Sequence, residues 1–152
     1  MTQIKLYSLV LMILLAGPAL ARESLNGPIQ AEVIRVIDGD TFDVRAQIWV
    51  GHFIETRVRI NGLDTPELRS KCDTARKRAH DAKVVLSNLL KNGPVVLTDI
   101  QNGKYAGRVL ALARTPEGID VSDFMIEQGL VRPYNGGKRA GWCAAKTAAI
   151  TK

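Results

Sequence analysis

The sequence predicts an α+β fold, a five-stranded OB-type β-barrel carrying two to three helices. Five short runs have strand character, and one segment of helical period lies between the third and the fourth. Composition agrees: 152 residues with 46% hydrophobic and 24% charged side chains suit one core of ordinary domain size. The same balance excludes a disordered tail protein, a collagen-like repeat and a coiled coil. A mixed α+β sandwich has the same element order, and order alone does not fix closure.

Residues 22–30 are polar, carry Gly27-Pro28 and read as a lead-in. Residues 31–37 form a β-rich run with Val33, Ile34, Val36 and Ile37, broken by the turn Asp38-Gly39-Asp40. Phe42, Val44, Ile48 and Val50 then fall on even positions, the period-2 mark of a half-buried strand. Gly51-His52 reverses the chain, and Ile54, Val58 and Ile60 resume the alternation up to Asn61-Gly62, giving a β-meander. Ala75, Ala79, Ala82, Leu86 and Leu89 recur at helical spacing, and Asn92-Gly93-Pro94 ends that helix. Residues 95–100 make a fourth strand, Asn102-Gly103 opens a hairpin, and residues 108–113 make a fifth. A short helix is expected from a Ser122 cap, burying Val121, Phe124 and Met125 and stopping at Gly129, with a last helical turn around Trp142.

The N-terminus reads as an export leader over residues 1–21. Lys5 is its one charge, residues 6–16 are apolar, and Ala19-Leu20-Ala21 supplies small residues for cleavage. About a dozen apolar residues are too few to span a hydrocarbon layer of ~30 Å comfortably. The expected location is secreted or periplasmic, with a folded domain at residues 31–152. Lys and Arg number 21 against 15 Asp and Glu, a formal charge of +6 that falls only to +5 without Lys5. A basic domain favours polyanions such as nucleic acid or anionic lipid. Cys72 and Cys143 are the two cysteines. In an exported chain they suggest one disulfide, worth about 3–5 kcal/mol through loop entropy, with two buried thiols as the alternative. Neither lies in a C-x-x-C, and His52 and His80 are remote in sequence from both, so zinc and papain-like chemistry are unsupported.

One group of residues carries chemistry. Asp40 stands at the start of the second strand and Asp64-Thr65-Pro66-Glu67 follows the end of the third. Antiparallel neighbours bring those two ends together, and two carboxylates there make a hard-oxygen site suited to Ca²⁺ or Mg²⁺. Pro66 restricts Thr65 to an extended backbone, which directs its carbonyl as a third oxygen. Arg57 and Arg59 share a strand face opposite Val58 and Ile60, and Arg108 begins the fifth strand. Two guanidinium forks suit one metal-bound phosphate, leaving Glu67 to accept a proton from an attacking water.

Val36-Ile37-Asp38-Gly39-Asp40-Thr41, Arg59 five residues before Asp64-Thr65-Pro66-Glu67, and Lys104-Tyr105-Ala106-Gly107-Arg108 together resemble the staphylococcal nuclease (thermonuclease) family over residues 31–135. The resemblance implies an OB barrel with helices that cuts DNA and RNA with Ca²⁺, leaving 3′-phosphate and 5′-hydroxyl ends. It implies that Asp40 and Asp64 hold the metal with the Thr65 carbonyl, that Arg59 and Arg108 bind phosphate, and that Glu67 is the general base. Lys104 and Tyr105 resemble residues contacting the terminal phosphate, and Tyr134 a base-stacking tyrosine. Ala106 adds one residue to what is usually Lys-Tyr-Gly-Arg. The implied protein is a monomer with nucleic acid as partner, no protein partner, and no membrane association once the leader is cleaved. The rival reading is a non-catalytic OB-type module that binds nucleic acid or another polyanion. Arg69, Lys71, Arg76, Lys77 and Arg78, with Lys138 and Arg139, read as solvated cations, and Trp49 and Trp142 as packing residues.

Overall fold

The computed structural model describes residues 23–104 and 107–143. The leader, Tyr105 and Ala106 lie outside the described residues. In chain order the elements are β1 (Ser24–Leu25), β2 (Ile29–Val36), β3 (Thr41–Trp49), β4 (His52–Ile60), β5 (Leu63–Asp64), α1 (Asp73–Leu90), β6 (Val95–Asn102), β7 (Arg108–Arg114), α2 (Val121–Glu127) and β8 (Arg132–Pro133). β2, β3 and β4 are the antiparallel meander. β7 lies parallel to β4 with Arg57 opposite Arg108, β6 pairs antiparallel to β7, and β6 returns to β2. These pairings close a five-stranded mixed barrel of the OB type, and the sandwich alternative falls away. β1 is an added edge on β6, and β5 pairs with β8 as a separate two-stranded ribbon.

Alternation explains the core. Phe42, Val44, Ala46, Val58 and Ile60 point inward, while Arg57 and Arg59 stand on the other face of β4. Leu97, Ala111 and Ala113 close the barrel, and Leu86 and Leu90 of α1 and Val121 and Met125 of α2 cover its openings. Each of the larger side chains removed from water stabilises the fold by about 1.5–3 kcal/mol. The alternation does not mean burial to the strand ends. Ile48, Val50 and Ile54, at even positions, are exposed, because the β3–β4 ribbon runs beyond the barrel.

Several local expectations shift. β2 begins at Ile29 and β1 lies at residues 24–25, so strand pairing starts inside the polar lead-in. In α1 the buried stripe is Ala75, Ala79, Ala82, Leu86 and Leu90; Leu90 takes the fully buried place expected of Leu89. Asp120, not Ser122, caps α2: its Oδ1 accepts from the backbone N–H of Ser122 at 3.0 Å and of Asp123 at 3.3 Å. Ser122 Oγ donates instead to the Asn61 carbonyl, fixing α2 to the turn after β4. Residues 141–143 are not helical, and the rest of the expected terminal turn lies outside the described residues. Cys72 and Cys143 form a disulfide with Cα atoms 5.8 Å apart, which settles the alternative of free thiols.

Candidate active site

Thr41 opens β3 directly opposite Arg59 near the end of β4, so the antiparallel register brings the Asp38-Gly39-Asp40 turn to the segment that follows β4. Asp40 is fully buried there. Arg59 Nη1 donates to its Oδ1 at 2.7 Å, Thr41 Oγ1 donates to the same oxygen at 2.7 Å, and Thr65 Oγ1 donates to Oδ2 at 2.7 Å. Arg59 Nη2 also donates to the Leu63 carbonyl, which locks the guanidinium between the two ends. Burial nevertheless pushes the Asp40 carboxyl up to about 6, with Asp38 adding to the rise, against the opposing effects of Arg59 and the two threonine hydroxyls.

Asp64 pairs with Arg132 across the β5–β8 ribbon. Trp142 Nε1 donates to Asp64 Oδ2 at 3.0 Å. The other oxygen, Oδ1, is buried and accepts no hydrogen bond, with Arg139 Nε 3.4 Å away. Thr65 and Pro66 are buried beside it, and Glu67 emerges into solvent with Arg139 Nη1 donating to its Oε1 at 3.2 Å. Burial opposes the charge of Arg139, yet Asp64, Asp40 and Glu67 together raise its pKa. One guanidinium therefore feels all three acids.

A cleft of about 560 Å³ opens over this cluster, lined by Arg57, Arg59, Glu67, Lys104, Arg108, Tyr134 and Arg139 among others. β4 supplies the first two, the start of β7 supplies Arg108, and the segment after β8 supplies Tyr134 and Arg139. Tyr134 is held by its backbone N–H on the Gly62 carbonyl and by its hydroxyl on the Gly137 carbonyl. The expected Arg59, Glu67, Lys104, Arg108 and Tyr134 thus share one cleft, while Asp40, Asp64 and Thr65 do not line it and join it through Arg59 and Arg139. Tyr105 lies outside the described residues.

Two participants were not expected. Arg139 reads as solvated and Trp142 as packing, yet both contact Asp64. The Cys72–Cys143 bond carries the available signal, since Cys72 lies five residues after Glu67 and a tether there draws residues 139–143 onto the acids.

Among the described residues no three His, Cys, Asp or Glu side chains gather in a metal-holding group. Asp40 and Asp64 offer a carboxylate pair instead. Asp64 Oδ1, buried and without a hydrogen bond though Arg139 Nε is 3.4 Å away, and an oxygen-only donor set fit a hard divalent cation, and nothing in that set suits a thiolate or imidazole metal.

The fold is an OB barrel with a cation-rich cleft beside two buried carboxylates. A family model described as staphylococcal nuclease homologue matches residues 57–148, and the chain belongs to that family. Asp40 precedes the matched stretch, while the other site residues fall within it. A protein named an uncharacterized endonuclease from Escherichia coli is 30% identical over 110 residues, covering 72% of this chain and 64% of that relative. A protein of the same name from Escherichia coli O157:H7 matches with the same identity and coverage. The chain spans under two thirds of the length of these curated relatives.

Proposed function

We propose that the protein is an exported, calcium-dependent endonuclease that hydrolyses phosphodiester bonds of DNA and RNA, leaving 3′-phosphate and 5′-hydroxyl ends. The observation that carries this reading is the convergence of Arg59, Arg108, Lys104 and Glu67 on one cleft above Asp40 and Asp64. Asp40, Asp64 and the Thr65 carbonyl are the oxygens that would hold calcium. Bound there, calcium would polarise a phosphoryl oxygen and offset its charge.

The chain's own residues do the rest. Arg59, fixed by Asp40 and the Leu63 carbonyl, keeps a permanent positive charge at the cleft floor. Arg108 adds a second fork, and together they offset the negative charge that accumulates on a five-coordinate phosphorus. Glu67 accepts the proton of the attacking water, and the P–O5′ bond breaks as that water adds in line. Lys104, Tyr105 and Tyr134 bind the flanking phosphate and base. The Cys72–Cys143 bond supports a secreted or periplasmic location, and no helix among the described residues is long and apolar enough to cross a membrane. The enzyme acts as a monomer with nucleic acid as its partner.

The test is plasmid degradation by purified protein with calcium, then with chelator, with the product ends mapped. Cutting that chelation abolishes, with 3′-phosphate ends, is the expected result. Binding without products in calcium would leave a non-catalytic polyanion-binding module in its place.

A further inference from the structure

After β8 the chain turns through Gly136 and Gly137, both at positive φ (94° and 92°), and runs back over the acids to Cys143. Its end is bonded to Cys72, the residue that precedes α1. Between these anchors Trp142 is held by cations. The Arg132 guanidinium lies 3.7 Å from the ring centroid and that of Arg78 5.4 Å. The indole N–H, a donor with no acceptor role, is spent on Asp64 Oδ2, and the buried Oδ1 receives no hydrogen bond. A tryptophan serving only as packing has no need to aim its one polar atom at a buried carboxylate.

We propose that residues 134–143 form a disulfide-tethered strap that orients Asp64 for calcium, with Trp142 the positioning residue through which it acts. This rests on the functional reading above. The indole fixes the carboxylate plane and one oxygen, as hydrogen-bond partners of ligands commonly do, and the other, with Arg139 Nε 3.4 Å away and no hydrogen bond, faces the metal's place. The Cys72–Cys143 bond holds the indole in place, so full calcium affinity is reached only where that bond can form. A nuclease made in a reducing compartment stays weak until it is exported.

Calcium titration by calorimetry tests this on wild type, Trp142→Phe and the Cys72→Ser/Cys143→Ser double variant, with thermal melts alongside. Phenylalanine keeps an aromatic ring for Arg132 and Arg78 and removes the donor together with the second ring of the indole. Each variant is expected to bind calcium at least about tenfold more weakly, and combining them adds little more. Dithiothreitol, passing two electrons and two protons to the disulfide to give two thiols and its own cyclic disulfide, reproduces the double variant. Leu97→Ala, a core change away from the strap, lowers the melting temperature and leaves calcium affinity alone. Wild-type affinity in Trp142→Phe, or an equal loss in Leu97→Ala, overturns the strap's role while the nuclease reading stands. A wild-type protein that binds no calcium overturns the functional reading, and this inference with it.

Discussion

Arg59 and Arg108 face the same cleft. Arg59 is nearly buried and bonded to the fully buried Asp40, so Arg59→Ala leaves an acid without its charge partner as well as a phosphate without its fork. That variant should lose roughly 3 kcal/mol of stability in addition to turnover. Arg108→Ala should lower kcat by about 10²–10³, and denaturant melts beside initial rates separate lost turnover from lost stability; unchanged turnover in a folded variant would remove Arg108 from the phosphate site. Asp43 carries a pH prediction. The Arg57 guanidinium, bonded to it at 2.8 Å, outweighs partial burial and with Arg35 holds its carboxyl below 3.8. An acid whose folded pKa is depressed contributes stability above its unfolded pKa, and that contribution is lost as pH falls through the folded one. Asp43→Asn should therefore match wild type in its loss near the acid extreme and be less stable above pH 3.8, by an amount that shrinks with salt because both arginines are exposed. Denaturation at a series of pH values reads it directly. The acids and forks were legible in the sequence because each sits at a strand end or turn whose partner is set by short-range register. Arg139 and Trp142 were not, since their contacts are made across 72 and 78 residues and no local pattern encodes them.

At the scale of elements, the site depends on how closely the turn before β3 approaches α1. A Cβ at Gly39 would lie 2.8 Å from the Cβ of Ala82 and 3.4 Å from Thr65 Cγ2. The glycine is there for close approach, since both neighbours belong to packed elements. Gly39→Ala must push the turn off the helix, at a cost of about 1–3 kcal/mol, and must carry Asp40 with it. Calcium affinity and melting temperature should fall together, and a compensating Ala82→Gly should restore both in part; a variant that melts early yet binds calcium normally would show that Asp40 does not move with its turn. The large elements were legible because period 2 and period 3.6 are properties of the chain itself, as Phe42, Val44, Val58 and Ile60 and the alanine stripe of α1 demonstrate. β5 and β8 were missed because two residues cannot display a period, and they exist only by pairing with each other. The pattern overreached at Ile48, Val50 and Ile54, where a ribbon keeps its alternation after the barrel that would bury it has ended. Ser122 has the residue type of a cap for α2, but Asp120, two residues earlier, offers a carboxylate to two backbone donors.

For the whole molecule, the question is which of its cations meet a polyanion. The full sequence has a formal charge of +6, and Lys77 and Lys83 belong to α1 rather than to the lining of the cleft. Arg57 and Arg139 reach the cleft with much of their charge already shared with Asp43, Asp64 and Glu67. Arg59 shares its charge with Asp40 in the same way, and Lys104 and Arg108 complete the cations of the cleft. If about three phosphates of a single strand are neutralised there, log Kd should change with log salt at a slope near 2, a loss of roughly twentyfold between 50 and 200 mM. Fluorescence anisotropy with a labelled oligonucleotide, under chelation so that nothing is cut, measures that slope. Lys104→Gln should lower it by about 0.7, while Lys77→Gln with Lys83→Gln should weaken binding slightly and leave the slope nearly unchanged. The reverse pattern, a slope set by the helix lysines and indifferent to Lys104, would mean that nucleic acid follows the α1 surface and that the acids beneath the cleft never see its phosphates.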